Sequence, residues 1–347
     1  TLIVGDEELQ LESIPNHLQL YADLGSASLL DANTGGYSMG PTFGHSAFVF
    51  RPDEVSAQVA SSSCVRALAT ANDLLRGKSD GLCAWLVDCA TESEAKSFGG
   101  AAFEYLKQHV YPLVKQRAES GTDTEHYKHW VRSWWKPQMP RTEFFKLLVG
   151  KKRYVVCPRS AARPIFMFLS TGLIPNPTLQ LFACEDDYSY GLLQSAPHWK
   201  WIVGKGTRVR EDFTYGSEVW RTFPWPQDPT DEQVTAVVAA SRNLRRVRAE
   251  LMETNGWSLR QLYQSAEVPG PHPLNDAQAA LDAAVNDAYG LPPNQDPLAF
   301  LLELNQLVAE DEAAGRTVRG PGLPPHLDPK DPRWTSTDCI QPPPLES

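Results

Sequence analysis

Cysteine is sparse, and it is placed where it can organise nothing. The six cysteines, Cys64, Cys83, Cys89, Cys157, Cys184 and Cys339, stand singly along 347 residues, with no C-x-x-C pair and no Cys/His pattern at zinc spacing. That excludes a disulfide framework and a structural zinc, and it predicts free, mostly buried thiols in a reducing cytoplasm. No apolar run approaches the ~18 residues that could span a bilayer, which argues against a membrane partner. Also missing are a G-x-x-x-x-G-K-[ST] phosphate loop, an H-E-x-x-H zinc helix and a G-x-S-x-G nucleophile elbow. The bare G-x-G at Gly204–Gly206 is too short to hold a nucleotide. His126 and His129 are spaced for one helical face but have no third ligand nearby, and Glu185–Asp187 reads as a solvated turn. The opening "TLIVGDEELQLESIP" has no initiating Met, basic n-region or cleavage site. It is therefore not a secretory signal, and it reads as the cut edge of a longer chain.

With 42% hydrophobic and 21% charged residues, the composition is that of a globular protein long enough for two or three domains. The net charge of −10 would ordinarily disfavour a polyanionic partner. That average hides an asymmetry. Between Lys115 and Trp225 there are 17 basic and 10 acidic residues, whereas the rest of the chain holds 15 and 32. A basic middle between acidic flanks predicts an anionic partner for one region only.

Periodicity and punctuation divide the chain into four segments. Residues 1–121 read as mixed α/β, with strands at "GHSAFVF" and "GLCAWLVD", a helix over "DEVSAQVASSSCVRALATANDLLRG" that stops at Gly77, and a second helical run from Thr91 to Ser120. Residues 122–227 read as a basic, β-rich core in which "KRYVVCPR", "PIFMFLS", "TLQLFAC" and "YGLLQSAPHWKWIVG" are strands joined by turns. Residues 228–320 read as a helical domain. Its helices start at Thr230 or Asp231, Asn275 and Asp296, and stop at Gly256, Gly290 and Gly315. Residues 321–347 form a Pro-rich tail, expected to be extended or disordered. The expected class is α+β, a mixed-sheet domain followed by a small all-helical one.

No catalytic constellation emerges, and what remains is a surface for binding. Lys151, Lys152, Arg153, Arg159 and Arg163 cluster around two of the expected strands, and Lys200, Lys205, Arg208 and Arg210 follow a Trp-rich segment. Fixed cations suit phosphates, and forked donors and acceptors suit base edges. A merely solvated charged surface carries the same residues.

The order of blocks adds information. "MGPTFGHSAFVF", "WWKPQM", "KRYVVCPRSAARPIF", "IPNPTLQLFACEDDYSYGLLQSAPHWKWI", "RVREDFTYGSEVWRTFPWP" and "SLRQLYQSAEVPGPHPLNDAQAALDAAVNDAYG" occur in this sequence. In that order they resemble the C-terminal half of MmeI-like adenine-N6 DNA methyltransferases of restriction-modification and phage-defence systems. The resemblance implies a target recognition domain that binds double-stranded DNA, followed by a helical C-terminal domain. It also implies an N-terminal methyltransferase domain elsewhere in a parent chain. That domain would hold S-adenosylmethionine and the flipped adenine, and the present chain carries no cofactor motif and no catalytic residue. Carried over residue by residue, the base-reading segment corresponds to Arg210, Asp212 and Thr214. Thr214 stands where the family often has Arg. In extended backbone, residues two apart point the same way, so Arg210 could fork to a guanine while Asp212 accepts from a cytosine amine. The alternative is an Arg210–Asp212 ion pair on the surface. The phosphate-binding set implied is Lys151, Lys152, Arg153, Arg159, Arg163, Lys200, Lys205 and Arg208. Trp220, Phe223 and Trp225 are expected in the core. The competing reading is a protein-interaction module of a defence complex, without direct DNA readout.

Overall fold

The computed structural model describes residues 2–4, 7–9, 24–77, 79–86, 89–120, 124–163, 165–209 and 212–342. It is half helical and about an eighth strand, with short sheets and a helical C-terminal region, the α+β class expected. The chain divides into two compact units that interleave along the sequence. Unit 1 comprises Thr1–Tyr37, Cys157–Met167 and Cys184–Asp338, and unit 2 comprises Ser38–Val156, Phe168–Ala183 and Cys339–Ser347.

In unit 2 a four-stranded sheet orders Ile174–Pro175, Val65–Ala69, Cys83–Trp85 and Val49–Phe50, with the first pair parallel and the others antiparallel. A second sheet, most of whose residues fall in unit 2, orders Tyr37–Met39, Leu179–Phe182, Arg153–Pro158 and Met167–Ser170. The 53–77 stretch is therefore not one helix. It holds the helices Ala57–Ala60 and Ala71–Arg76 with the strand Val65–Ala69 between them, although Gly77 does end the segment as expected. Within "GHSAFVF", Ser46–Phe48 is a 3-10 turn, leaving only Val49–Phe50 as strand. The following helical run breaks into Glu92–Gly99, Ala101–His109 and Tyr111–Glu119. Gly100, at φ 51°, takes a conformation that an L side chain resists, and Pro112 lies in the first turn of the third piece. Trp85, Phe103 and Trp134 are buried in the core between helices and sheet, where Trp85 donates to the Trp135 carbonyl at 2.8 Å.

In unit 1, "YGLLQSAPHWKWIVG" contradicts the strand expected of it and folds as two helices, Asp187–Gln194 and Ala196–Lys205. Every residue of the first helix is buried, so its apolar run has no period to separate helix from strand. Local chemistry starts both helices. The Asp186 carboxylate accepts from the Ser189 amide and hydroxyl at 2.7 and 2.9 Å, and Pro197 occupies the first turn of the second helix. "EDD" is thus a helix cap and not a solvated turn. Asp187 is fully buried, accepting from Arg242 at 2.7 Å, Arg245 at 2.5 Å and the Ser336 amide and hydroxyl at 2.9 Å each.

The long helix Asp231–Asn255 opens on the Thr230 cap and ends at Gly256. It packs on Asp187–Gln194 and on Pro273–Tyr289 through Val234, Val237, Val238 and Leu244. Pro273–Tyr289 starts ahead of the expected Asn275, because the His272 imidazole accepts from the Leu274 amide and Pro273 sets the first turn. Pro297–Ala313 starts at Asp296 as expected. Among its described residues, up to 342, the Pro-rich tail lacks helix yet is held in place. Trp334 is 2% exposed, its carbonyl accepts from the Asp187 amide at 2.8 Å, and Arg245 pairs with Asp338 at 2.7 Å.

Candidate nucleic-acid interface

The basic, aromatic stretch after Gly206 builds a small antiparallel sheet in unit 1. Thr207–Val209 pairs with Asp212–Thr214 in the register Thr207↔Thr214, Arg208↔Phe213 and Val209↔Asp212, and Ser160–Ala161 adds a third strand through Phe213↔Ala161 and Thr214↔Ser160. Successive strand residues face opposite ways and paired residues face the same way. Phe213 is buried, whereas Asp212 is exposed and Thr214 half-buried, so Asp212 and Thr214 share the outer face with exposed Ser160. That face offers one carboxylate acceptor and three hydroxyls, those of Thr207, Thr214 and Ser160, that both donate and accept.

The inner face rests on a buried aromatic layer. Phe213 meets Trp199 edge to face at a centroid distance of 5.0 Å. Two residues on, Tyr215 closes the sheet with its amide donating to the Arg159 carbonyl at 3.0 Å, and its hydroxyl lies 3.1 Å from His198 Nε2. His198 Nδ1 lies 2.6 Å from the Leu193 carbonyl, which can only accept. Nδ1 therefore carries the proton, Nε2 is the acceptor, and Tyr215 donates to it. Burial pushes the His198 pKa down to about 4, against a smaller raising effect of the Leu193 carbonyl, so the ring is neutral at physiological pH. Phe166 and Phe223 close around the imidazole at 5.5 and 4.5 Å.

The segment leaving the sheet is core, as expected: Trp220, Phe223 and Trp225 are at most 1% exposed. Trp220 donates to the Asn33 and Gly35 carbonyls at 2.9 and 3.0 Å, and the Asn33 amide returns two 2.8 Å bonds to the Trp220 and Phe223 carbonyls.

The expected cations have different fates. Arg159, whose carbonyl caps Tyr215, is exposed beside the third strand, and Lys200 is exposed on the helix that carries His198 and Trp199. Arg163 is also exposed but pairs with Glu267 at 3.1 Å and lies over the Tyr263 ring at 5.7 Å. Lys205 donates to the Leu24 carbonyl at 2.9 Å. Arg210 and Glu211 lie outside the described residues, as does the side chain of Arg208. In unit 2, Lys151 and the exposed Lys152 precede the strand Arg153–Pro158. Arg153 departs from its expected role. It is 1% exposed with its guanidinium 3.5 Å from the Phe168 centroid, so it packs the sheet where a phosphate cannot reach it.

Main-chain pairing thus gathers Asp212, Thr214 and Arg159 in one place. It adds Ser160, which no sequence signal marked, because only the register of a distant strand puts it opposite Thr214. The His198–Tyr215 bond was equally hidden, since both residues read as ordinary members of aromatic segments. His126 contacts Gln138, and His129 sits 3.6 Å from Glu125. Among the described residues no group of three or more His, Cys, Asp or Glu could hold a metal ion, and no helix is long and apolar enough to cross a membrane.

Comparison with known proteins places this geometry. The profile of a family described as "MmeI, target recognition domain" matches residues 45–227. Among solved structures, the fold is similar to that reported as "Structure of Type IIL restriction-modification enzyme MmeI in complex with DNA has implications for engineering of new specificities", with a TM-score of 0.63 and 20% identity. The similarity covers 80% of this chain and 36% of that one, so the chain spans about a third of that protein's length. No curated protein matches it.

Proposed function

Because the chain belongs to the family of MmeI target recognition domains, we propose that it is the part of an MmeI-like restriction-modification enzyme that recognises its duplex DNA site. The parent enzyme would methylate adenine N6 from S-adenosylmethionine in a separate methyltransferase domain, for which this part positions the duplex. The observation that carries the reading is the outer face of the three-stranded sheet in unit 1. Asp212, Thr214 and Ser160 face one way from a backbone that Phe213, Tyr215 and His198 anchor from beneath. Asp212 can accept from a cytosine amine, the hydroxyls suit any base edge, and Arg210 is assigned the forked contact to guanine. Arg159, Lys200 and Lys152 are assigned to phosphates.

Fluorescence anisotropy with duplex DNA tests this. Affinity should fall with salt, each neutralised phosphate contributing about 0.9 to the slope of log K against log salt. Arg210→Ala and Asp212→Ala should each cost about 1–3 kcal/mol of discrimination between sites while non-specific affinity stays nearly unchanged. If no duplex is bound in a salt-dependent way, even with the methyltransferase domain attached, the reading fails.

A further inference from the structure

Unit 2 carries a rigid apolar projection set among cations. After the helix Thr142–Lys146 the chain turns through Leu147, Leu148, Val149 and Gly150 before entering the strand Arg153–Pro158. Leu148 is buried, whereas Leu147 is 47% and Val149 83% exposed, the latter the most exposed of the large hydrophobics in the described residues. The loop is hydrogen-bonded throughout. The Val149 amide donates to Lys146 at 3.3 Å and the Lys151 amide to Leu148 at 3.0 Å, and the Thr171 hydroxyl donates to the Lys151 and Lys152 carbonyls at 3.2 and 3.3 Å. Gly150, at φ 84°, turns the chain back at the tip. Behind the tip, Pro140, Phe145, Leu148 and Val149 line a cleft of about 270 Å³ bounded by Arg66.

The sequence that flanks the tip is predominantly basic. Arg141, Lys146, Lys151 and Lys152 flank the tip, and the single acid in the segment, Glu143, is already paired with Lys146 at 2.7 Å. Two exposed side chains are too few for the core of a protein interface, which removes about 800 Å² from each partner. An apolar wedge between phosphate-binding cations instead suits DNA, where such residues enter a base step or press on a groove wall. From this we infer that Val149, backed by Leu147, is a wedge that deforms duplex DNA while Lys151 and Lys152 hold the flanking phosphates. The inference rests on the DNA-recognition reading above and adds to it a second contact, one that reads deformability in place of base edges.

The test uses the full chain and a mixed-sequence duplex carrying donor and acceptor dyes at its ends. On binding, wild type should shorten the end-to-end distance. Val149→Ser, on an exposed position, should melt like wild type and bind within about threefold of it, yet lose at least half of the change in energy transfer. Lys151→Ala with Lys152→Ala should lower the salt slope by about two. If wild type binds without shortening the duplex, or Val149→Ser shortens it equally, the wedge is refuted while the recognition reading stands. If wild type binds no duplex even with the methyltransferase domain attached, both fall together.

Discussion

Replacing Asp187 with alanine removes the carboxylate on which the C-terminal tail is fastened. Its two oxygens take donors from Arg242, Arg245 and both groups of Ser336 at 2.5–2.9 Å, and no part of its side chain reaches solvent. Arg245 is itself only 10% exposed, so the variant strands a guanidinium that keeps one carboxylate, Asp338, itself half exposed. Breaking a buried pair from one side costs about 3–5 kcal/mol. The exposed edge of Arg242 and the remaining partner of Arg245 favour the lower end, about 3 kcal/mol. For a unit of this size that lowers the melting temperature by roughly 6–12 °C. Urea denaturation gives the free energy, and trypsin gives the mechanism. With the Asp187 anchor gone, cleavage after Lys330 or Arg333 should accelerate well before global unfolding. A loss below about 1 kcal/mol, with unchanged tail cleavage, would mean that Asp187 is solvated as its sequence context suggested, and would refute the burial argument.

Three further outcomes follow from named contacts. Phe213→Ala takes away the apolar residue by which the reading sheet meets Trp199 and should cost about 3 kcal/mol, with faster amide hydrogen exchange at Tyr215 and weaker DNA binding. His198 is held neutral at a pKa of about 4 against 6.5 in the unfolded chain. As pH falls below 6.5 the unfolded ring takes a proton that the native ring refuses. Stability should therefore drop by about 1.4 kcal/mol per pH unit until about pH 4, and that component of the slope should vanish in His198→Gln. In unit 2, a Cβ at Gly99 would lie 2.2 Å from the Trp85 ring, so Gly99→Ala should destabilise by about 1–3 kcal/mol in thermal unfolding despite alanine's better helix propensity.

Asp187 also shows where reading the chain one residue at a time stops. Sequence alone determined the features set by local chemistry. These are the Thr230 and Asp296 caps, the stops at Gly77 and Gly256, the basic middle between acidic flanks, the burial of Trp220, Phe223 and Trp225, and the family, through the order of its blocks. Each depends on residues within a turn or two of one another, or on a summed property. Tertiary structure decided the rest. "YGLLQSAPHWKWIVG" is helix because burial on all sides erases the period that would have said so, and Asp187 is core because arginines more than fifty positions away, Arg242 and Arg245, come to it. Ser160 joins the reading face by strand register, and Arg153 leaves the binding set by packing on Phe168. A carboxylate or a guanidinium carries the same chemistry in every sequence. Whether it meets water, DNA or a buried partner is set by contacts between distant segments, which only the folded chain brings together.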